Sequence, residues 1–257
     1  GFLYIATSTA GDVKGTAQIA KVNLSTRLEV GAVRTTLFAN TANYGSPWDP
    51  FCLVPYQVSS VQYLVMFMKY SSGVVNFEII NAGTMTSVAA GTHPNGANGI
   101  VVCHAGSGHN FFSMSYDNGK VYSIVYSGVF TFTEIKTIAN MYIIGPIVAD
   151  PADGYPVYFR QTTSPVRAVL TKVHPTTGVT QWERQAYQVP DEWSATQMLY
   201  SDLTGGTLAI IPGFPATWQV VDLSDGSVVN SLSVLDKNLS SGYSYAWNSQ
   251  GGVSVYY

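Results

Sequence analysis

Charge is what this chain has least of. Lys, Arg, Asp and Glu make up 11 % of its 257 residues, where about 25 % is usual. Twelve cations against fifteen anions leave a formal net charge of −3. There is no basic run, so the clustered Lys and Arg that grip a phosphate backbone are missing, which argues against nucleic acid as a partner. Long apolar stretches are also missing. None approaches the ~20 residues of a bilayer-crossing helix, so membrane insertion is not expected. The two cysteines, Cys52 and Cys103, are too few for a disulfide scaffold and lack metal-site spacing. They read as two buried thiols or, in an oxidising compartment, as one bridge. No secretory leader opens the chain, and a start at Gly1 is expected of a mature or excised form. Ser, Thr, Gly, Asn and Tyr carry the polar surface in place of Lys and Glu. That composition reads as a secreted, extracellular or virion-surface protein.

Helical periodicity is nearly absent, with WSATQMLY (193–200) the only candidate turn of helix. Short runs rich in Val, Ile, Tyr, Phe and Thr recur instead, bounded by Gly, Pro, Asn, Asp and Ser, which is how strands and turns read. In TWQVVDLSDGSVVNSLSV (217–234), Trp218, Val220 and Leu223 form one apolar strand and Ser224-Asp225-Gly226 turn it. Val228, Val229, Leu232 and Val234 return it. YLVMFMKY (63–70) is continuously apolar and predicts a strand buried on both faces.

The hairpin recurs. Weaker copies lie at 17–33, 74–88, 120–135 and 166–182, with turns near Thr26, Gly83, Gly128 and Gly178, ahead of Gly226. The last four turn glycines are spaced by 45, 50 and 48 residues. A second ladder of strand, turn and strand precedes each later hairpin, at 52–67, 100–115, 147–161 and 198–213, and another closes the chain at 244–257. One unit is therefore four strands, A to D, in about 45–57 residues, the period of a propeller blade. Glycine suits the turns because hairpins need positive φ there.

The chain resembles the β-propeller superfamily over nearly its full length. Its build is similar to tachylectin-like lectins and to arabinanase and levansucrase type glycosidases, and DLSDGSVV (222–229) resembles a surface-layer propeller repeat. The resemblance implies an all-β fold: a five-bladed β-propeller of four-stranded antiparallel blades in one domain spanning 1–257. The last blade would be closed by both chain termini, which removes open edges. FLYIATS (2–8) is one strand more than five blades need.

In such a fold the long D–A connections gather on one face, and long loops on a rigid frame commonly carry function. Here they hold Tyr44, Trp48, Asp49, His93, Asn95, Glu192, Trp193, Tyr245 and Trp247. Aromatic faces beside amides and carboxylates suit a sugar, whose C–H faces pack on rings while its hydroxyls need donors and acceptors. The competing reading has the tryptophans filling gaps between wedges. The glycosidase resemblance implies catalytic carboxylates, for which Asp49, Asp150, Glu183 and Glu192 are the candidates. Such a pair must stand about 5–9.5 Å apart. The four histidines show no zinc spacing, ADPADGYP (149–156) predicts a tight turn, and no cofactor is implied. Asn23-Leu24-Ser25 and Asn238-Leu239-Ser240 match a glycosylation sequon. The expected partner is a glycan or surface receptor at that face. Alternatives are a glycoside hydrolase and an assembly subunit packing against other subunits.

Overall fold

The computed structural model describes residues 1–8, 15–31, 33–40, 51–70, 74–94, 100–115, 119–139, 141–162, 168–187, 197–201, 207–211, 217–233, 244–247 and 253–256. Every regular element among them is a strand. Sheet 1 holds β1 (Phe2–Ser8), β2 (Gly15–Asn23) and β3 (Arg34–Asn40). Sheet 2 holds β4 (Phe51–Val58), β5 (Val61–Tyr70), β6 (Val74–Asn81) and β7 (Thr86–His93). Sheet 3 holds β8 (Ile100–His104), β9 (Asn110–Ser115), β10 (Lys120–Tyr126) and β11 (Phe130–Thr137). Sheet 4 follows with β12 (Met141–Ala149), β13 (Pro156–Thr162), β14 (Ala168–Val173) and β15 (Thr180–Tyr187). Sheet 5 has β16 (Gln197–Ser201), β17 (Thr207–Ile211), β18 (Thr217–Asp222) and β19 (Val228–Ser233). Sheet 6 is the pair β20 (Ser244–Trp247) and β21 (Val253–Tyr256).

The four middle sheets are the expected four-stranded meanders. Their first strands approach one another in chain order, β4 to β8, β12, β16 and on to β20, so they line a common axis. The chain ends depart from expectation. β1 pairs with β2 and β20 with β21, so five terminal strands make two sheets where one shared wedge was expected. The surplus strand is the reason. Pairing with β2 from Phe2↔Asn23 to Ser8↔Ala17, β1 takes the place beside β2 that the C-terminal pair was expected to supply.

Cores lie between sheets because each sheet is apolar on both faces. In β5, Leu64 and Met66 pack with Ile19 of sheet 1, while Val65 and Phe67 pack with Phe111 and Ile124 of sheet 3. The continuous run thus serves two cores by simple alternation. Each such side chain stabilises by roughly 1.5–3 kcal/mol when fully buried. Next, Phe112, Met114 and Val121 of sheet 3 meet Ile147, Tyr158 and Val173 of sheet 4.

One turn design recurs. Asn23, Asn81, Asp150, His174 and Asp222 each accept, through the side chain, the N–H of the residue two further on. Each also accepts, through its carbonyl, the N–H of the fourth residue on: Arg27, Met85, Gly154, Gly178 or Gly226. That fourth residue has positive φ in every case, between 58° and 74°. The left-handed position in sheet 2 is therefore Met85 rather than Gly83, and in sheet 1 it is Arg27 beside Thr26. A non-glycine residue in that conformation costs about 1–2 kcal/mol. Gly178 has no such choice, since a Cβ there would sit 2.0 Å from the Ile135 carbonyl oxygen of sheet 3.

Candidate functional site

Sheets 1 and 2 diverge at their A–B and C–D turn end and leave a cleft of about 720 Å³, within the size range of small-molecule sites. One wall comes from β1 and the turn after β2: Phe2, Tyr4 and Leu24. Lys21 fixes the two rings. Its Nζ lies 4.2 Å from the Phe2 centroid and 5.9 Å from that of Tyr4, and it donates to the Ala82 carbonyl at 2.9 Å across the seam. The Tyr4 hydroxyl donates to the same carbonyl at 3.4 Å, and burial raises its pKa above that of an ordinary tyrosine.

The other wall is the β4–β5 hairpin, whose sequence Tyr56-Gln57-Val58-Ser59-Ser60-Val61-Gln62-Tyr63 reads the same in both directions. A two-residue turn at Ser59-Ser60, with Ser59 at φ 55°, sets like opposite like: Val58↔Val61, Gln57↔Gln62, Tyr56↔Tyr63. Alternation then sorts the rungs. Gln57 and Gln62 share a face with Leu53 and Leu64, toward sheet 1. Tyr56 and Tyr63 face sheet 3, where their rings meet those of histidines. Gln57 donates its amide to the Ser59 carbonyl at 2.7 Å, which leaves its side-chain oxygen as an acceptor. Among the described residues, the side chains that line the cleft are uncharged, with the Lys21 ammonium set against the Phe2 ring.

Behind the hairpin lies a second cluster. Tyr56 stacks on His104 at 4.8 Å and on Tyr63 at 5.5 Å, and its hydroxyl bonds His109 Nδ1 at 2.8 Å. His104 donates through Nε2 to the Gly108 carbonyl at 2.9 Å and accepts the Gly106 N–H at Nδ1 at 3.2 Å. Those two partners define a neutral imidazole carrying its proton on Nε2. Burial lowers the His104 pKa, partly offset by the Gly108 bond. Burial, followed by the charge His104 would carry, lowers that of His109. Burial, then Tyr63, raises that of Tyr56, which stays a phenol.

The residues singled out from sequence are placed as follows. His93 was expected in a loop; it ends β7, is 2 % exposed, and bonds Ser113 Oγ at 2.9 Å between the Tyr122 and Phe132 rings. Its role is packing between sheets 2 and 3. Tyr245 and Trp247 lie on β20, opposite Val255 and Val253. Tyr44, Trp48, Asp49, Asn95, Glu192 and Trp193 lie outside the described residues, as do most of the long connections. Cys52 is on β4 opposite Phe67, and Cys103 is on β8 opposite Phe112.

The carboxylates that are described do not converge on the cleft. Asp150, 1 % exposed, is bound to Lys172 Nζ at 2.6 Å, and Asp153 reaches the same ammonium at 2.7 Å. Lys172 also donates to the Leu223 carbonyl of sheet 5 at 3.0 Å. Burial alone would lower the Lys172 pKa, but the bonds to Asp150 and Asp153 outweigh it and the net direction is upward. Glu183, on the outermost strand β15, pairs with Arg160 at 3.1 Å and accepts from Thr171 at 3.3 Å. Among the described residues, no group of three or more His, Cys, Asp or Glu side chains could hold a metal ion.

Sequence reading missed Phe2, Tyr4, Gln57 and Gln62. The available signals were the palindromic hairpin and the aromatic pair two apart in β1, which alternation puts on one face.

No protein-family model matches the chain, and no curated protein matches it. Solved structures do. A Lactobacillus plantarum protein superposes with a TM-score of 0.62 at 10 % identity, over 100 % of this chain and 81 % of its own. The Dos1 propeller gives 0.58 at 11 %, over 95 % of this chain and 60 % of its own. The periplasmic gluconolactonase PpgL of Pseudomonas aeruginosa gives 0.55 at 15 %, over 90 % and 66 %. Identities this low carry the fold and nothing finer. With antiparallel sheets set around their first strands, the chain is an all-β protein of the β-propeller fold.

Proposed function

We propose that this propeller is a non-catalytic binding or attachment module, secreted or displayed on a cell or virion surface, and that its cleft between sheets 1 and 2 takes neutral carbohydrate. The observation that carries this reading is an aromatic ring facing carboxamides across one cleft. Phe2, 41 % exposed, offers a ring face on one wall, and the carboxamides of Gln57 and Gln62 stand on the other. Sugar C–H faces pack on such rings, and hydroxyls pair with amides that both donate and accept. The scarcity of surface charge supports an extracellular setting.

Hydrolysis has less support. Asp150 and Glu183 are committed to ion pairs on sheet 4, and a glycosidase needs two carboxyls facing one bond. An assembly role has one observation in its favour, since the turn face carries exposed Leu28, Val129 and Val179. Light scattering after size exclusion separates a self-associating subunit from a monomeric module.

A glycan array followed by calorimetry tests the binding reading. Neutral oligosaccharides should bind. Phe2→Ala and Gln57→Ala should each weaken affinity about tenfold, a change of about 1.4 kcal/mol. Silence across neutral glycans, or binding untouched by both substitutions, would reject it.

A further inference from the structure

We propose that protonation of His104 unlatches the Ala105–His109 turn from the tip of the β4–β5 hairpin, loosening the seam between sheets 2 and 3 in mild acid. The argument begins with the two nitrogens of one ring. Nε2 donates to the Gly108 carbonyl and Nδ1 accepts the Gly106 N–H, so His104 closes the turn from inside. Gly106 and Gly108 both have positive φ, 86° and 56°, so the turn has little conformational preference of its own to hold it. A proton taken from solvent by Nδ1 sets two N–H groups against each other. A backbone amide cannot reverse its role, so that bond is lost.

His109 differs in this respect. Its Nδ1 faces the Tyr56 hydroxyl at 2.8 Å, and a phenol can accept as well as donate. Protonating His109 alone exchanges roles within the pair. Protonating His104 opens the Gly106–Gly108 arch, and His109, whose carbonyl stays bonded to the Tyr126 N–H at 3.0 Å, loses the support that holds its ring on Tyr56.

Among the described residues, nothing of opposite charge faces the two rings in the contacts they make. Tyr56 and Phe111 meet His104; Tyr56 of β4, Tyr63 of β5 and Tyr126 of β10 meet His109. The neighbouring sheet 4 turn runs close by, since a Cβ added at Gly154 would lie 3.6 Å from the Ala105 carbonyl oxygen, and its carboxylates Asp150 and Asp153 are both tied to Lys172. An imidazolium here would be half-buried among rings, and burial opposes it. The hairpin that loses its anchor carries Gln57 and Gln62 on its other face. Acid should therefore loosen the cleft wall too, a consequence that rests on the binding reading, whereas the latch does not.

The test needs no ligand. Long-range proton–nitrogen spectra of the whole labelled chain report each imidazole tautomer between pH 7.5 and 5.0, and amide exchange at Gly106 reports the turn. At pH 7.5 His104 should carry its proton on Nε2. As it titrates, Gly106 exchange, corrected for the intrinsic rate, should rise about fivefold or more, the change expected on losing one hydrogen bond. His104→Phe keeps a flat ring without the acceptor, so Gly106 should exchange fast at pH 7.5 and show no pH dependence. His109→Gln should keep the wild-type response. The proposal fails if wild-type His104 titrates with Gly106 protection unchanged, or does not titrate above pH 5. It also fails if His104→Phe keeps the pH response or His109→Gln abolishes it.

Discussion

Between sheets 2 and 3 the wedge is filled with rings. Phe67, Phe77, Phe130 and Phe132 lie in the middle, His104, His109, Tyr56 and Tyr63 at the turn end, and His93 with Tyr122 beyond. Between sheets 4 and 5 the described side-chain hydrogen bonds come from two side chains of sheet 4. Lys172 reaches the Leu223 carbonyl while holding Asp150 and Asp153, and the Trp182 indole donates to that same carbonyl at 3.1 Å. The first seam spreads its stabilisation over many contacts, each small and tolerant of direction. The second runs largely through one buried ammonium, held by two carboxylates of its own sheet, where losing a partner strands a charge. The two should also fail at opposite ends of the pH scale. The histidines of the first have lowered pKa values, and the lysine of the second a raised one.

The largest effect should come from breaking the concentrated seam. Lys172→Met leaves Asp150 buried without its cation and should cost about 3–5 kcal/mol in urea unfolding. Adding Asp150→Asn should recover part of that loss, and a single substitution with no measurable effect would show that the ion pair carries nothing. Next is Gly226→Ala, whose Cβ would meet the Trp182 ring at 2.7 Å. Overpacking together with positive φ should cost roughly 2–4 kcal/mol. Gly128→Ala, with open space around it, should cost only the backbone term of about 1–2 kcal/mol. Equal losses at the two glycines would remove the role given to the Trp182 contact. Tyr56→Phe in the aromatic seam should cost about 1 kcal/mol, the value of one hydrogen bond, since the ring contacts survive.

Acid and alkali sharpen the contrast. For a histidine with a lowered folded pKa, the unfolded chain binds more protons in between. Stability is therefore full above ~6.5 and falls as pH drops through the folded values. For Lys172 the folded pKa is raised, so its contribution is present below ~10.4 and lost as pH rises through the folded value. Denaturation midpoints across pH should fall at both ends. His104→Phe should flatten the acid limb and Lys172→Met the alkaline one. The smallest expected effect is a gain: Arg27→Gly removes an exposed left-handed non-glycine and should stabilise by about 0.5–1 kcal/mol.

The sheets were legible in the chain because strand patterning is local. YLVMFMKY announced a doubly buried strand, and Leu64, Val65, Met66 and Phe67 are each at most 1 % exposed. The turns were legible in place but not in mechanism. Gly83 looked like the left-handed residue, yet the Asn81 side chain captures the Gly83 and Thr84 N–H groups and moves that conformation on to Met85. The candidate site was least legible. His93 looked like a loop ligand because it falls where a long D–A connection was expected, but its partner Ser113 lies 20 residues away in the next sheet. Asp150 looked like a candidate catalytic carboxylate because nothing nearby in the chain reveals Lys172, 22 residues on.

From its amino acids alone this chain was bound to make short antiparallel strands in repeating fours, since period-two burial and turn chemistry act over a few residues. How the first and last strands pair, which seam holds an ion pair and which holds rings, and where a cleft opens were decided only when distant repeats packed. Those outcomes depend on which side chain of one sheet meets which carbonyl or ring of the next. No local preference encodes that meeting; it follows from how twisted sheets set around a shared axis bring their faces into contact.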